Sequence, residues 1–371
     1  MPRILFLNKA PPYRGSGAET VIWELGTHLA AHGWDVHYLS PMDLDDADPP
    51  NLENVTLHNV PTPDGFLAGR VAFFLKGIGP YRRLIRELDP DIVYDNASPL
   101  LFIYAHLVTP SRVVTKVHGI NGRAAFEHKS RLPTKVGTML GDQLYRLKDG
   151  SGLLTVSEST RDRLQRLVSK NPDRIRVVRN GIDPDPYEFT FSPEGPVLSL
   201  CQLSPRKDLE TLLRAWRHVK DAGVERRLIV AGDGPRRDAL EELAANLGLR
   251  NVEFRGYVPE EEKLRLMREA SCYVLPTLME GFGLSNLEAM ASGCVVISTD
   301  APGVRDYLRH EKNGLMFQPG DDGTLATAIR RALDDPEAAE SWALRGRETV
   351  EELYHIEDTV ADERAVLEGL L

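Results

Sequence analysis

Two glutamates flank a glycine-rich turn in the second half of the chain. Glu280 begins the run Glu-Gly-Phe-Gly-Leu, and Glu288 stands about one turn inside a helix predicted to begin near Leu284. Glycines at 281 and 283 let backbone amides approach a ligand closely, and a helix start attracts anions such as a diphosphate. Carboxylates repel phosphate, so we expect both glutamates to face hydroxyl groups, such as those of a sugar and a ribose. The alternative is a helix-capping turn with two solvated glutamates.

Short apolar segments alternate with amphipathic segments along the sequence, which predicts alternating strands and helices. These elements must position the glycine-rich turn. Such a pattern is typical of parallel sheets covered on both faces. Because it restarts after residue 195, it predicts two doubly wound α/β domains. Ligands of these sheets bind beyond the carboxyl ends of the strands. The predicted strands are 3–8, 35–40, 55–60, 91–96, 112–118, 152–157, 175–179, 197–203, 227–231, 252–256, 271–276, 295–299 and 315–317.

The segment Asp183–Pro196 is predicted to be the linker between the two domains. It holds four prolines and one glycine in fourteen residues, a composition typical of loops.

Composition and charge narrow the class of protein. The chain has 371 residues with 42% hydrophobic and 27% charged residues, which is typical of globular proteins. Residues 1–185 carry 23 Lys+Arg against 21 Asp+Glu and residues 186–371 carry 22 against 34, so the net charges are +2 and −12, summing to −10. An acidic C-terminal half argues against nucleic acid as a partner. The absence of a long apolar run and of a secretory leader indicates a cytoplasmic protein.

The glutamate turn resembles the signature of retaining glycosyltransferases of family 4. The match is Glu280-x7-Glu288 within Glu-Gly-Phe-Gly-Leu-x-x-x-Glu-Ala-Met-Ala-x-Gly, and the resemblance extends over nearly the whole chain. Further matching segments are Arg14–Glu19, His118-Gly119, Thr155–Glu158, Arg179–Asp183, Leu203–Asp208, Ala231–Pro235, Phe254–Val258 and Asn313–Leu315.

The resemblance implies the GT-B fold, with two doubly wound Rossmann-like parallel-sheet domains facing a deep cleft. Residues 1–186 would form the acceptor-binding domain, with a C-terminal helix at about 354–371 crossing back to it. Residues 187–353 would bind the nucleotide-sugar.

The family pattern also assigns roles to individual residues. It implies that Glu288 binds the ribose hydroxyls and that Glu280 contacts hydroxyls of the transferred sugar. Backbone amides would hold the sugar and the distal phosphate, and these belong to Gly281, Phe282, Gly283 and Leu284. The loop that frames the base would consist of Gly256, Tyr257 and Val258.

Two residues of the first half match ligand contacts of the family. His118 would contact the anomeric centre or a neighbouring hydroxyl, with a structural histidine as the alternative. Gly17 would let the backbone approach the phosphates or the acceptor at a helix start, with a flexible turn as the alternative.

The diphosphate-binding stretch departs from the family pattern. The family supplies Gly-Arg-x-x-x-x-Lys; Lys207 matches the lysine, but Cys201-Gln202 replaces the Gly-Arg pair. Gln202 would bind the donor through hydrogen bonds but carries no charge, whereas a departing diphosphate needs positive charge. Arg206 is a candidate to compensate, and an outward orientation of its side chain is the alternative.

The predicted activity is transfer of a hexose from a UDP- or GDP-sugar to an acceptor hydroxyl with retention of configuration. The catalytic set would be Glu280, Lys207, His118 and Arg206. No Ser-His-Asp set, Cys/His cluster or Asp-x-Asp at a strand end is apparent, so we expect no metal and no cofactor. Two alternatives stay open: a sugar-nucleotide epimerase of the same architecture, and a nucleotide-sugar-binding protein that lost catalysis, which Gln202 would explain.

Two basic stretches bear on the acceptor, which would be a saccharide or a lipid-linked molecule. Residues 66–90 carry five Lys/Arg against two acids, and residues 111–150 carry eight against three. Basic segments with interleaved aromatic residues bind anionic membrane surfaces, so a weak peripheral contact at the inner membrane face is one interpretation. An ordinary solvated helix face is the other.

Overall fold

The chain forms two compact units. The computed structural model describes residues 1–13, 17–41, 52–62, 66–96, 103–109, 112–119, 152–168 and 175–371. The first unit consists of Met1–Asn180 together with Ile356–Leu371, and the second consists of Gly181–His355.

The first unit is built on a parallel sheet with seven strands among the described residues. Its strands are β1 Arg3–Leu7, β2 Asp35–Ser40, β3 Val55–Asn59, β4 Ile92–Asp95, β5 Val113–Val117, β6 Gly152–Thr155 and β7 Ile175–Val177. Their spatial order is β3-β2-β1-β4-β5-β6-β7. The strand order therefore reverses between β1 and β4, and such a switch point is where open α/β sheets bind ligands.

The second unit is built on a parallel sheet of six strands. They are β8 Val197–Leu200, β9 Leu228–Ala231, β10 Val252–Gly256, β11 Cys272–Leu275, β12 Val295–Thr299 and β13 Leu315–Phe317. Their order is β10-β9-β8-β11-β12-β13, so the switch point lies between β8 and β11.

Helices connect most of these strands. In chain order the described helices are α1 Gly17–Ala31, α2 Phe66–Leu88, α3 Ile103–Val108, α4 Glu158–Val168, α5 Leu209–Asp221, α6 Arg237–Asn246, α7 Glu260–Glu269, α8 Leu284–Ala291, α9 Asp322–Asp334, α10 Pro336–Leu353 and α11 Ile356–Glu368. A short 3₁₀ helix spans Pro205–Lys207.

The inner strands of both sheets are buried on both faces, as their apolar sequences predict, whereas the edge strands β3 and β10 are partly exposed. In the second unit Val230, Val274 and Ile297 lie in one core cluster with Trp216 of α5, and all four are almost fully buried. In the first unit alternate residues of each strand enter two different clusters; Phe6 packs with Tyr38 and Tyr94 on one face.

Helix α11, the last of the chain, packs on the first unit through one apolar contact set and one buried ion pair. Val360 and Leu367 join the core cluster of Phe6 and Tyr94. Glu363 accepts a hydrogen bond from Lys116 Nζ of β5 at 2.6 Å, and both side chains are 0% exposed. The Tyr94 hydroxyl donates to the other oxygen of Glu363.

The segment predicted as a linker, Asp183–Pro196, belongs to the second unit and packs on it. Phe189 and Phe191 lie against its core cluster. The Thr190 amide donates to the Ser292 carbonyl at 3.0 Å. The unit boundary therefore falls at Asn180/Gly181, before the proline-rich stretch, because the two phenylalanines gain burial on the second unit.

The structure confirms the predicted fold class of two doubly wound parallel-sheet α/β units. All thirteen predicted strands are present, although many are shorter at the carboxyl end than predicted. Strand β8, for example, ends at Leu200 instead of residue 203 because the chain leaves the sheet there to form a loop.

Of the two basic stretches, residues 66–90 include α2, whereas residues 120–150 lie outside the described part of the chain. No helix in the described residues combines the length and the apolar character that spanning a membrane requires.

Candidate functional site

The switch point of the second sheet gathers two of the predicted site segments. Strands β8 and β11 are direct neighbours, with Cys272 paired to Val197. The 3₁₀ helix Pro205–Lys207 follows β8, and the loop 276–283 follows β11. Both therefore lie at the carboxyl edge of the sheet, where the topology favours ligand binding. The Leu278 amide donates to the Arg206 carbonyl at 2.9 Å, which ties the two segments together.

The loop after β11 ends in an uncapped helix start. Gly283, the N-cap residue of α8, has φ +91° and ψ +59°, in the left-handed region that favours glycine. As a glycine, the N-cap residue gives the first turn of α8 no side-chain cap in the described structure. The Asn286 amide donates to the Gly283 carbonyl at 2.9 Å, and the helix dipole favours an anion at the amides that precede it.

Glu280 faces two cations across the switch point. Lys207 Nζ donates to Glu280 Oε2 at 2.6 Å, and Arg206 Nη1 lies 3.4 Å from Glu280 Oε1. Burial opposes the charged form of Glu280, but Lys207 and then Arg206 outweigh it and lower the pKa of that carboxyl below its usual 4.5. Glu280 is therefore a carboxylate at neutral pH, held next to the residues predicted to bind the diphosphate.

Arg206 points toward the loop, although its side chain is 46% exposed. Its Nη1 donates to the Met279 carbonyl at 3.2 Å. This orientation places a guanidinium beside Lys207, and the outward alternative does not describe the structure.

The loop that contains Glu280 packs against a glycine and two tyrosine rings. A Cβ on Gly303 would lie 2.5 Å from the carbonyl oxygens of both Glu280 and Gly281, so only glycine fits there. The Phe282 ring is buried against Tyr307 and Tyr354, with ring centroids 5.5 and 5.6 Å away. The side chain of Phe282 thus anchors the loop, which leaves only its backbone for a ligand.

Gln202 lies on the loop after β8 with an exposed side chain. The Leu203 amide donates to the Asp233 carbonyl at 2.9 Å, and the Gly232 amide donates to the Gly256 carbonyl at 2.7 Å. The loops after β8, β9 and β10 therefore lie side by side at one edge of the sheet.

The loop predicted to frame a base begins at the end of β10. Gly256 is buried with φ +69°, and Tyr257 is 81% exposed. Val258 is half-buried and directly precedes Pro259, the N-cap residue of α7. An exposed aromatic ring beside a backbone turn is a surface on which a base can stack.

Glu288 has two partners that the sequence did not reveal. Lys263 of α7 donates to Glu288 Oε1 at 3.1 Å and to the Tyr187 hydroxyl at 3.2 Å. The three residues come from separate elements, so their contact is a product of tertiary packing. The only local signal was the i,i+3 spacing of Glu260 and Lys263, which form an ion pair at 2.7 Å.

Cys201, next to Gln202, is a thiol rather than a nucleophilic thiolate. Burial raises the pKa of its sulfhydryl to about 11, although Lys207 acts in the opposite direction. Cys272 and Cys294 are buried and likewise free.

His118 and Gly17 lie in the first unit, so their predicted donor contacts stay predictions. Asn96 Oδ1 lies 2.5 Å from His118 Nε2, and Asn96 Nδ2 donates to Asn8 Oδ1 at 3.0 Å. Since an amide oxygen only accepts, His118 carries its proton on Nε2 and presents a lone pair on Nδ1. Burial, reinforced by Lys116 and Lys9, lowers the pKa of His118 well below 6.5, so its ring is neutral. Gly17 is exposed at the start of α1.

Family models and sequence relatives agree with this architecture. Residues 15–186 match the family "Glycosyltransferase Family 4", and residues 190–349 match "Glycosyl transferases group 1". An uncharacterized glycosyltransferase of Methanocaldococcus jannaschii is 30% identical over 199 residues, which is 49% of this chain and 51% of that protein. Glycogen synthase of Mycobacterium tuberculosis is 27% identical over 93% of this chain and 89% of its own.

Solved structures share the whole fold. Sucrose-phosphate synthase from Thermosynechococcus elongatus has a TM-score of 0.86 at 22% identity, covering 100% of this chain and 99% of its own. Anabaena HepE in complex with UDP-glucose has a TM-score of 0.77 at 18% identity and covers 100% of both chains. Together the two family models cover most of the sequence, and the chain therefore belongs to the family 4 type of glycosyltransferases with the GT-B fold.

Proposed function

We propose that this glycosyltransferase moves a hexose from a UDP- or GDP-sugar to an acceptor hydroxyl, with retention of the anomeric configuration and without a metal ion. The observation that carries the proposal is the pairing of Glu280 with Lys207 beside the uncapped start of α8. This arrangement offers amides and an ammonium group to phosphate, and carboxylates to sugar hydroxyls, within one loop and one helix.

In this proposal the donor lies along the carboxyl edge of the second sheet. Glu288 accepts hydrogen bonds from the ribose, and the loop Gly256–Val258 frames the base. The amides from Gly281 to Leu284 hold the sugar and the distal phosphate. The relatives support a nucleotide-sugar donor: one solved neighbour holds UDP-glucose, and one M. tuberculosis relative, 28% identical over 72% of this chain and 73% of its own, is named a GDP-mannose-dependent mannosyltransferase.

Lys207 and Arg206 supply the positive charge at the diphosphate. They compensate for the family's arginine, whose position is occupied by Gln202 in this chain. An ammonium group has three donors, so Lys207 can keep its bond to Glu280 while it donates to a phosphate oxygen. Preorganised cations that meet the charge of a leaving group contribute the largest share of the rate in such reactions. This is the reason for proposing that no divalent cation takes part.

The chemical step is a displacement on the sugar in which the leaving group supplies the base. The bond from the anomeric carbon to the phosphate oxygen breaks while the acceptor oxygen bonds to the same carbon from the same face. The acceptor proton passes to the departing phosphate oxygen, so the products are the glycoside and a nucleoside diphosphate. The acceptor is proposed to be a saccharide or a lipid-linked molecule.

A donor panel tests the proposal. The protein is incubated with UDP- and GDP-sugars and candidate acceptors, with and without EDTA, and free nucleoside diphosphate is measured by chromatography. We expect release of one diphosphate, undiminished by EDTA, and an NMR coupling constant that shows retention at the anomeric carbon. The Glu288→Ala variant should lose donor binding, whereas Glu261→Ala, an exposed glutamate of α7, should not.

Two outcomes would contradict the proposal. An epimerised nucleotide-sugar in the absence of acceptor would identify an isomerase. Donor binding without turnover across the panel would identify a binding protein, which the uncharged Gln202 would then explain.

A further inference from the structure

Glu288, the residue proposed to bind the donor ribose, is one member of a compact cluster with Tyr187, Lys263 and Glu260. Lys263 Nζ lies 3.1 Å from Glu288 Oε1, 2.7 Å from Glu260 Oε1 and 3.2 Å from the Tyr187 hydroxyl. The same ammonium group lies 5.5 Å from the centroid of the Tyr187 ring. Through this ammonium group the Tyr187 hydroxyl and the Glu288 carboxylate share one donor.

The cluster is rigid in its construction. Tyr187 is only 8% exposed, and Arg347 of α10 donates to its carbonyl at 2.7 Å. Lys263 lies in the first turn of α7, and its side chain is 15% exposed. Glu288 is 20% exposed, so this carboxylate meets solvent on one side and the lysine on the other.

The charges of the cluster make Lys263 a permanent donor. Burial opposes its protonated form, but Glu288 and then Glu260 outweigh burial and raise the pKa of Lys263 above 10.5. Burial, and then Glu288, raise the pKa of the Tyr187 hydroxyl, which therefore stays protonated and can donate. Lys263 thus holds Glu288 through a charge-assisted hydrogen bond, and the Tyr187 hydroxyl accepts from the same ammonium group and fixes its position.

We infer that Lys263 and Tyr187 are positioning residues that aim Glu288 at the donor ribose. This assignment rests on the proposed function. Lys263 holds Oε1 of Glu288 and fixes its side-chain rotamer, which leaves the remaining acceptor positions of the carboxylate to the ribose hydroxyls. The lysine also offsets a negative charge that would otherwise repel the diphosphate of the donor.

The two roles have a consequence for kinetics. Contacts to the ribose lie far from the bonds that break, so they stabilise the bound donor and the transition state alike. Losing contacts that stabilise both states equally raises KM and leaves kcat unchanged. A residue that only maintains the fold would instead lower the amount of active protein at an unchanged KM.

The experiment compares Lys263→Met, Lys263→Arg and Tyr187→Phe with the unmodified protein. Calorimetry measures the Kd of UDP and GDP, and of the 2′-deoxy form of whichever binds; steady-state kinetics measures kcat and the donor KM. The matched control is Lys220→Met, a partly buried lysine of the same unit whose Nζ donates to the Val224 carbonyl at 2.9 Å.

We expect Lys263→Met to weaken binding of the diphosphate about tenfold, with kcat within about threefold of the original. Preference for the ribose form over the 2′-deoxy form should fall toward unity. Lys263→Arg should keep most of the nucleotide affinity and most of the preference for the ribose form, because arginine keeps the charge and the donors. Tyr187→Phe should show a smaller effect of the same kind, and Lys220→Met none.

Two results separate failure of this inference from failure of the proposed function. If Glu288→Ala abolishes nucleotide binding while Lys263→Met and Tyr187→Phe keep the original Kd and 2′-hydroxyl preference, the positioning role is wrong and the donor site stands. If the unmodified protein binds neither UDP nor GDP, the proposed function is wrong, and the positioning role with it.

Discussion

The two units reverse their strand order in the same way but place different chemistry at the reversal. In the first unit β1 and β4 meet there, and two amides follow them: Asn96 donates to Asn8 at 3.0 Å and contacts His118. Beside these amides Lys9 forms an ion pair with Glu19 of α1 at 3.4 Å. In the second unit β8 and β11 meet, and the ion pair of Lys207 with Glu280 follows them at 2.6 Å.

This difference shows that the strand order fixes where a ligand can bind, whereas the side chains at that point decide which ligand it is. Amides and a neutral imidazole match uncharged hydroxyl groups, to which they can both donate and accept. Lysine and glutamate at an open helix start match a ligand that carries both phosphate and hydroxyl groups. The same fold rule therefore places amides and an imidazole at one switch point and a lysine–glutamate pair at an open helix start at the other.

The first unit also buries an ion pair, but away from its switch point. Lys116 and Glu363 are separated by 2.6 Å, as are Lys207 and Glu280, yet the first pair is 0% exposed on both sides. The second pair is 11% and 9% exposed. A pair without solvent contact can serve only to join α11 to the sheet, whereas a partly exposed pair can meet a ligand.

The largest effect on stability is expected from Lys116→Met. Glu363 would be left buried without its cation, and removal of one partner of a buried pair costs about 3–5 kcal/mol of unfolding free energy. Urea denaturation of the full chain measures this loss. Replacing both residues, Lys116→Met with Glu363→Leu, should recover most of it, and Lys312→Met on the surface should be neutral. A loss below about 1 kcal/mol in the single variant would show that the pair is dispensable.

The largest effect on activity is expected from Lys207→Ala. The variant removes the ammonium group that faces the departing diphosphate, so kcat should fall about 10²–10³-fold. Arg206→Ala, at a half-exposed position, should lower kcat less. Steady-state kinetics with the identified donor makes the measurement, and Lys220→Met is the control. Unchanged kcat in Lys207→Ala would remove the ion pair from the catalytic machinery.

A smaller effect is expected when Asn96, a neutral residue at the switch point of the first unit, is made charged. Asn96→Asp places a carboxylate against His118 Nε2, which should raise the pKa of His118 and weaken Nδ1 as an acceptor. NMR titration of the histidine signals measures the pKa, and we expect a loss of activity of about tenfold or less. Asn96→Gln is the matched neutral variant. If the titration of His118 is the same in Asn96→Asp as in the original, the contact between the two side chains is absent in solution.

The smallest effect is expected from mild acid, and it should fall on the first unit. Burial, with His37 and Arg83 adding to it, lowers the pKa of His58 from 6.5 to about 4. Between these values the unfolded chain binds a proton that the folded chain does not, so stability decreases as pH falls from about 6.5 toward 4. Glu280 has a lowered pKa, so its contribution is fully present above 4.5 and is lost only below that value.

Hydrogen exchange at pH 7 and pH 5, corrected for the intrinsic pH dependence, distinguishes the two units. Protection of β3 should decrease at pH 5, while protection of β11 and α8 should not. His58→Asn should remove part of the decrease. Equal losses in both units would show that acid acts on the chain as a whole.

Local structure was predictable because it depends on residues close in sequence. Most strands of the sheet interiors are short apolar runs, such as Val295–Thr299, and the helix α8 begins at Leu284 as predicted. The boundary of the second unit was not predictable from local sequence. Phe189 and Phe191 lie in a stretch with the composition of a linker, and only the structure shows that they pack against the core. Shortened carboxyl ends of strands such as β8 also depend on how neighbouring loops pack.

The sequence by itself determined the two α/β units, the glycine-rich turn and the residue types that bind phosphate and hydroxyl groups. Only the tertiary structure decided their partners: Lys263 for Glu288, Tyr187 for Lys263, Lys207 for Glu280, and Asn96 for His118. The physical reason is distance along the chain. Periodicity records whether a residue faces a core, but contacts between elements separated by 22 to 76 positions follow from sheet order and helix packing, which local patterns do not encode.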